Sequence, residues 1–229
     1  MARTARLILP GYPHHIYHQG NNHQVVFLDD EDRAFYLERL RDGAREYQVD
    51  IHAYALLERC LYLLATPADA TGLARMMQWM GRCYVPYVNR KYHRSGTLWE
   101  GRFRTSIVET DQYLMRCSRF IEMRPVMAGL VENPHEYRWS SYQHHVGLHA
   151  SSLVRDHVLY WNLGNTPFDR ESAYLAFVRE FSQDEDTVFE RAVTKGWPLG
   201  SKPFIQQLEA LTGHPFRMGR RGRPTKKTT

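Results

Sequence analysis

The chain has no apolar run of the about 18 residues that a membrane-crossing helix needs, so no membrane partner is expected from its 229 residues. It has only three cysteines, Cys60, Cys83 and Cys117. Their spacing is not that of a zinc finger, and reduced thiols in a cytoplasmic protein are the simplest expectation. The stretch Met1–Arg6 leads into a short apolar patch, too short for a secretory signal. What is present suits a folded protein: 43% hydrophobic and 13% aromatic residues can build a sizeable core, as one domain or one domain with appendages.

The net charge of +5 is unevenly spread. Residues 1–74 carry 7 basic and 10 acidic side chains, residues 75–127 carry 10 and 4, residues 128–213 carry 7 and 11, and residues 214–229 carry 6 and none. Positive charge therefore collects in a central block and a tail. The block also holds Trp79, Tyr84, Tyr87, Tyr92, Trp99, Phe103, Tyr113 and Phe120. Basic groups neutralise phosphates and aromatic faces stack on unpaired bases, which points to nucleic acid. A solvated helix face with ordinary core aromatics is the alternative for the same residues.

Periodicity sets the elements. His14 to Gly20 reads as a strand closed by Gly20-Asn21-Asn22. Asp29 and Asp30 can cap a helix over about 30–47, with Leu37, Leu40, Ala44 and Tyr47 at helical spacing. Val49, Ile51, Ala53 and Ala55 alternate as in a strand; after a bend at Glu58-Arg59, a second strand places Leu61 and Leu63 on the face opposite Cys60 and Tyr62. A helix follows from about Thr71 to Lys91, kinked or closing at Pro86. Leu98–Glu109 reads as a strand, and Thr110 caps a helix ending near Met123, before Pro125. The order β-α-β-β-α-β-α predicts an α+β fold, a ferredoxin-like or RRM-like antiparallel sheet with helices packed on it. Helices are expected at Glu171–Ser182 and Phe204–Leu211. The expected organisation is a main domain over 1–148, a C-terminal helical extension over 149–213 and a disordered basic tail over 214–229.

Between Pro10 and Leu148 several stretches carry a resemblance: Pro10-Gly11 with His15 and Gly20-Asn21-Asn22, Phe27–Arg33, Ala53–Leu56, Gly96–Phe103, Pro125-Val126, Ala128–Val131 and Tyr137–Tyr142. Leu199-Gly200-Ser201 and Gly222-Arg223-Pro224 extend it. Together they resemble the single-tyrosine HUH transposases, in the branch associated with repetitive extragenic palindromes. That family carries His-x-His on a strand, and Tyr with Asn four residues later on a helix. Here the corresponding residues are Cys60, Tyr62, Phe120 and Arg124.

The resemblance implies DNA as partner, single-stranded or hairpin, with repetitive palindromic elements the expected source, bound by a monomer or homodimer. It also implies a chemistry. Two imidazoles and the amide hold Mg²⁺ or Mn²⁺, and the Tyr hydroxyl forms a 5′-phosphotyrosine link. Phe120 has no hydroxyl, Tyr62 is a poor neutral ligand, and the Arg124 guanidinium donates only. No catalytic residue, metal site or cofactor is therefore expected, and the chain reads as an inactive homologue that binds DNA. The alternative is an active transposase with a rearranged site, using Tyr62 as nucleophile or His14, His15 and His18 as ligands.

Expected DNA contacts are Arg94, Arg102 and Arg104 on phosphates, Trp99 on a base, Arg116 and Arg124 one turn either side of Phe120, and Arg220, Arg221, Arg223, Lys226 and Lys227 in the tail. Arg124 is expected to take the cation's place against a phosphate. Plain packing stands beside these readings: Cys60 as a small buried hydrophobe, Phe120 on the stripe Tyr113, Leu114, Cys117, Ile121, and Arg124 as a solvated cation at a helix end.

Overall fold

The computed structural model describes residues 7–181 and 183–216, with side chains of 183–186 left aside. The elements follow in the expected order: β1 (His14–Gln19), α1 (Asp30–Glu46), β2 (Val49–Leu57), β3 (Cys60–Pro67), α2 (Gly72–Lys91), β4 (Arg104–Ile107) and α3 (Thr110–Met127). The short helices α4 (Tyr142–His145) and α5 (Val158–Trp161) precede α6 (Pro167–Arg179), α7 (Gln183–Lys195) and α8 (Lys202–Thr212). The sheet order is β2-β3-β1-β4, with every neighbouring pair antiparallel. This is the ferredoxin-like arrangement. Among the described residues no helix is long and apolar enough to cross a membrane.

Strand alternation divides the core in two. Ile16, Leu61 and Leu63 face α1 and α2, joining Tyr36, Leu40, Met76, Met80 and Tyr84. Tyr17, Tyr62 and Leu64 face α3 and α7, joining Leu114, Phe120, Phe189 and Val193. Strict alternation would put Val49, Ile51, Ala53 and Ala55 on one face. A register shift between Ile51 and Ala53 instead leaves Val49 and Ile51 in the first cluster and moves Ala53 and Ala55 to the second.

The expected caps hold in part. Asp29 accepts from Asp32 N at 2.9 Å and starts α1 as a capping box. Thr110 is the first residue of α3 rather than its cap, and the preceding Glu109 turns its carboxylate to Ser201 N and Oγ. α3 does not stop before Pro125 but runs through it to Met127, and α2 likewise runs through Pro86. Each proline forfeits its own N–H bond to the carbonyl four residues earlier, and the helix continues past it for its last residues. The strand expected over 98–109 is shorter: β4 covers Arg104–Ile107, and a turn at Gly101, with φ of 64°, separates it from Trp99, which bridges Gly20.

The extension is fastened to the sheet domain at a buried carboxylate. Glu122 of α3 accepts from His145 Nδ1 and from Tyr174 Oη, both at 2.7 Å, and from Ser141 Oγ. One side chain thereby joins α3, α4 and α6, satisfying a charge that would be costly to bury alone. The tail expected to lack a core from residue 214 is anchored at its start: Phe216 packs against the cluster of Ile107, Phe204 and Leu208, and its N–H donates to Glu209 at 2.8 Å. Arg220, Arg221, Arg223, Lys226 and Lys227 lie outside the described residues.

Candidate functional site

Cys60 and Tyr62 on β3 project to the same face as His15 and Tyr17 on β1, because the registers Gln19–Cys60, Tyr17–Tyr62 and His15–Leu64 keep these side chains in phase. α3 crosses this face and brings Phe120 and Arg124, one turn apart. The four positions singled out in the sequence therefore meet in one place, and the place is filled. Phe120, 1% exposed, sets its ring edge-on to His15 at 5.2 Å and to Tyr62 at 6.0 Å. From α7, Phe189 stacks on Phe120 at 5.2 Å. Tyr62, 3% exposed, donates its hydroxyl to Glu190 Oε2 at 3.2 Å.

Arg124 lies over both rings, 5.1 Å from the centroid of Phe120 and 5.3 Å from that of Tyr62, with Nη2 3.9 Å from Glu190. Its side chain is 16% exposed. It is neither a solvated helix-end cation nor presented openly toward a ligand: it covers the aromatic cluster and reaches the carboxylate of α7. Phe189 and Glu190 were not singled out in the sequence, although a signal was there. The acidic start Asp184-Glu185-Asp186, Lys195 in the last turn and Gly196 after it are helix-boundary signals.

A divalent cation does not fit these residues. Burial pushes the Cys60 thiol up to about 12, so it stays protonated at neutral pH. Burial also drives the Tyr62 hydroxyl well above its ordinary value. The three histidines of β1 do not converge. His15 enters the cluster, whereas His14 donates Nδ1–H to Tyr12 O at 2.7 Å, and His18 stacks on Trp99 at 4.3 Å on the other face. His15 is fully buried with no hydrogen bond at either ring nitrogen; burial, and secondarily the Arg124 charge, lower its pKa to about 3. Among the described residues, no group of three or more His, Cys, Asp or Glu side chains could hold a metal.

The expected DNA contacts separate into two sets. Trp99 is 8% exposed and packs among His18, Phe27, Tyr36 and Tyr84, so its ring faces belong to the core and are not open to a base. Arg94 bonds Gln24 Oε1 at 2.8 Å and Thr97 O at 3.3 Å, fastening its own loop. Arg116 lies over Tyr113 at 4.9 Å and Phe189 at 6.0 Å, against α7. Arg102 and Arg104, by contrast, line a cleft of about 560 Å³ beside the edge strand β4. Lys195, at the end of α7, and His214 enter it from the other side.

No family model matches the chain, and no curated protein matches it in sequence. Among solved structures, the chain is similar to a REP-associated tyrosine transposase bound to a REP hairpin, with a TM-score of 0.56 and 13% identity over 69% of this chain and 99% of that one. A candidate transposase from Deinococcus radiodurans R1 aligns with a TM-score of 0.32 and 20% identity, over 58% of this chain and 98% of that one. At 13% identity the first likeness is one of architecture, and it identifies the fold of this chain as that of a tyrosine transposase.

Proposed function

We propose that this protein belongs to the REP-associated branch of the tyrosine transposases, binds single-stranded or hairpin DNA, and does not cut it. One observation carries the reading. Of the positions corresponding to the family's ligands and nucleophile, Phe120 packs against Phe189 and Tyr62 against Glu190 in a buried aromatic cluster, so that the nucleophile's place holds a ring without a hydroxyl and the Tyr62 hydroxyl is turned to a carboxylate. DNA binding draws on the shared fold, on the hairpin held by the structural neighbour, and on the basic residues at the β4 edge.

A second reading has one specific support. The Tyr62 hydroxyl lies 3.2 Å from a carboxylate, within the reach of a general base. Against it stand the burial of Tyr62 and the sharing of Glu190 with Arg124. Incubating the protein with labelled hairpin DNA and Mg²⁺ or Mn²⁺ decides between them. A shifted complex on a native gel, with no covalent adduct on a denaturing gel, is expected. An adduct that disappears in Tyr62→Phe would establish the second reading instead.

A further inference from the structure

We infer that the segment Ser151–Leu159 is a proton-sensitive latch: it closes the outer margin of β2 through three imidazoles that must be neutral, and acid releases it. The latch is a property of the fold and is independent of DNA binding.

The segment is held at the Ile51 end of β2. Arg155 N donates to Ile51 O at 2.7 Å, and Val154 bridges Ile51 in parallel. Leu153 and Val154 pack, half-buried, against the first core cluster. Around this strip stand His52 on β2, His144 on α4 and His157 at the start of α5.

Each imidazole uses one ring nitrogen as a donor or acceptor toward the strip or its surroundings. His144 Nδ1 accepts from Ser151 N at 3.1 Å, while its Nε2–H donates to Asp156 Oδ1 at 3.2 Å. His157 Nδ1 accepts from Leu159 N at 3.2 Å and so caps α5. His52 Nδ1–H donates to Arg155 O at 2.7 Å, and its Nε2 meets Thr66 Oγ1 at 2.9 Å. A neutral imidazole has one accepting nitrogen; a protonated one has none. A proton on His144 or His157 therefore removes a backbone bond at one end of the segment or the other. At His52, 5% exposed, the Thr66 hydroxyl can turn to accept, and the cost is instead a buried charge with the His157 ring 5.5 Å away.

The surrounding charges are mixed. Asp156 faces His144 and, at 3.7 Å, His145, which is turned to Glu122; Arg170 and Glu171 line the same small cavity as His144. Asp111 of α3 acts on His157, and Asp50, paired with Arg155 at 3.6 Å, acts on His52. Burial outweighs these carboxylates and lowers the pKa of His52 and His157 below the ordinary imidazole value; charge on His157 or His145 adds to the effect at His52. The closed latch thus binds fewer protons than the open one. Closure is strongest above about pH 6.5, where the released rings are neutral, and weakens as the pH falls below it.

Hydrogen–deuterium exchange of the full chain, resolved by NMR at pH 7.5 and 5.5 and scaled for intrinsic exchange rates, reads the latch at the amides of Ser151, Arg155 and Leu159. In the wild type their protection is expected to fall at least about tenfold at pH 5.5, the share of one imidazole released to a pKa of about 6.5. It should stay below that of the α2 amides, which report opening of the whole fold. In His144→Asn/His157→Asn the side-chain oxygen keeps the acceptor but does not titrate, so protection should fall at least about fivefold less. Where the double variant is unprotected already at pH 7.5, His157→Asn alone, with a favoured capping residue, is read at Leu159 in the same way. Wild-type protection that changes less than about threefold, or that equals that of α2 at pH 5.5, overturns the inference. So does an equal fall in wild type and variant.

Discussion

Tyr62 and Glu190, 128 residues apart in the chain, share a hydrogen bond of 3.2 Å. The contact joins the central strand β3 to a helix outside the βαββαβ core, and the stacking of Phe189 on Phe120 runs beside it. A helix from outside the sheet domain therefore covers Tyr62, Phe120 and Arg124. The region behaves as a second half of the core, with aromatic rings meeting stacked, tilted or edge-on, the arrangements that buried rings adopt.

Arg124 should act on stability before it acts on DNA. Arg124→Met keeps the aliphatic cover but removes the guanidinium from the rings of Tyr62 and Phe120 and from Glu190. A loss of about 1–2 kcal/mol in urea denaturation is expected, the scale of a partly desolvated cation–π contact. Hairpin affinity should stay within about threefold, less than one charge-assisted bond is worth. A drop beyond tenfold with unchanged denaturation would place the guanidinium on the DNA.

Trp99 is the counterpart on the other face. Its ring lies against His18 and Tyr84 in the first core cluster. Trp99→Ala should cost about 3–5 kcal/mol, as large-to-small changes in a packed core do. Trp99→Phe should lower the melting point while leaving hairpin affinity unchanged; selective loss of affinity would show that the indole reaches a base after all.

His14 and His15 give the fold an acid weakness. Both are held neutral by burial, with pKa values lowered from 6.5 to about 4 and about 3. In the unfolded chain they take up protons near 6.5, so between that value and about 3–4 the unfolded state binds more protons than the folded one. Stability then rises with pH across this window and falls on acidification, by up to about 1.4 kcal/mol per pH unit for each group. His15 has no hydrogen bond to lose, so His15→Phe should flatten this dependence. Equal slopes of unfolding free energy between pH 7 and pH 5 in variant and wild type would refute the assignment.

The sheet domain was legible because its signals are local. Of the α2 stripe Leu73, Met76, Met77, Met80, Tyr84, Tyr87 and Val88, all but the half-buried Tyr87 are buried, and the Glu58-Arg59 turn separates β2 from β3 as the sequence suggests. The bulge at His52 was not legible, since its cause lies in a distant segment: the His52 Nδ1–H donates to Arg155 O at 2.7 Å. Helix α7 went unread although its boundary residues were visible, and with it went Phe189, Glu190 and Lys195. The same omission explains Trp99 and Arg124. Residue type alone offers an aromatic or a cation to a ligand, and only the long-range packing of α1, α2 and α7 shows that their surfaces are already taken.

The two outer strands of the sheet are both hemmed by the chain itself. Beside β2 run Trp139–Ser141 and Val154–Arg155, which bond Leu56, Tyr54 and Ile51; beside β4 runs Leu199, bonded to Ile107 and Glu109. The stretch of β4 left uncovered borders the cleft and is flanked by arginines. Among the described residues, a neighbouring copy therefore finds no continuous row of backbone donors and acceptors on which to lengthen the sheet. Shortening the chain at residue 148 would strip Leu199 from the end of β4 and Val154–Arg155 from the Ile51 end of β2, while Trp139–Ser141 would still cover Tyr54 and Leu56, so the adhesive border would open chiefly at β4.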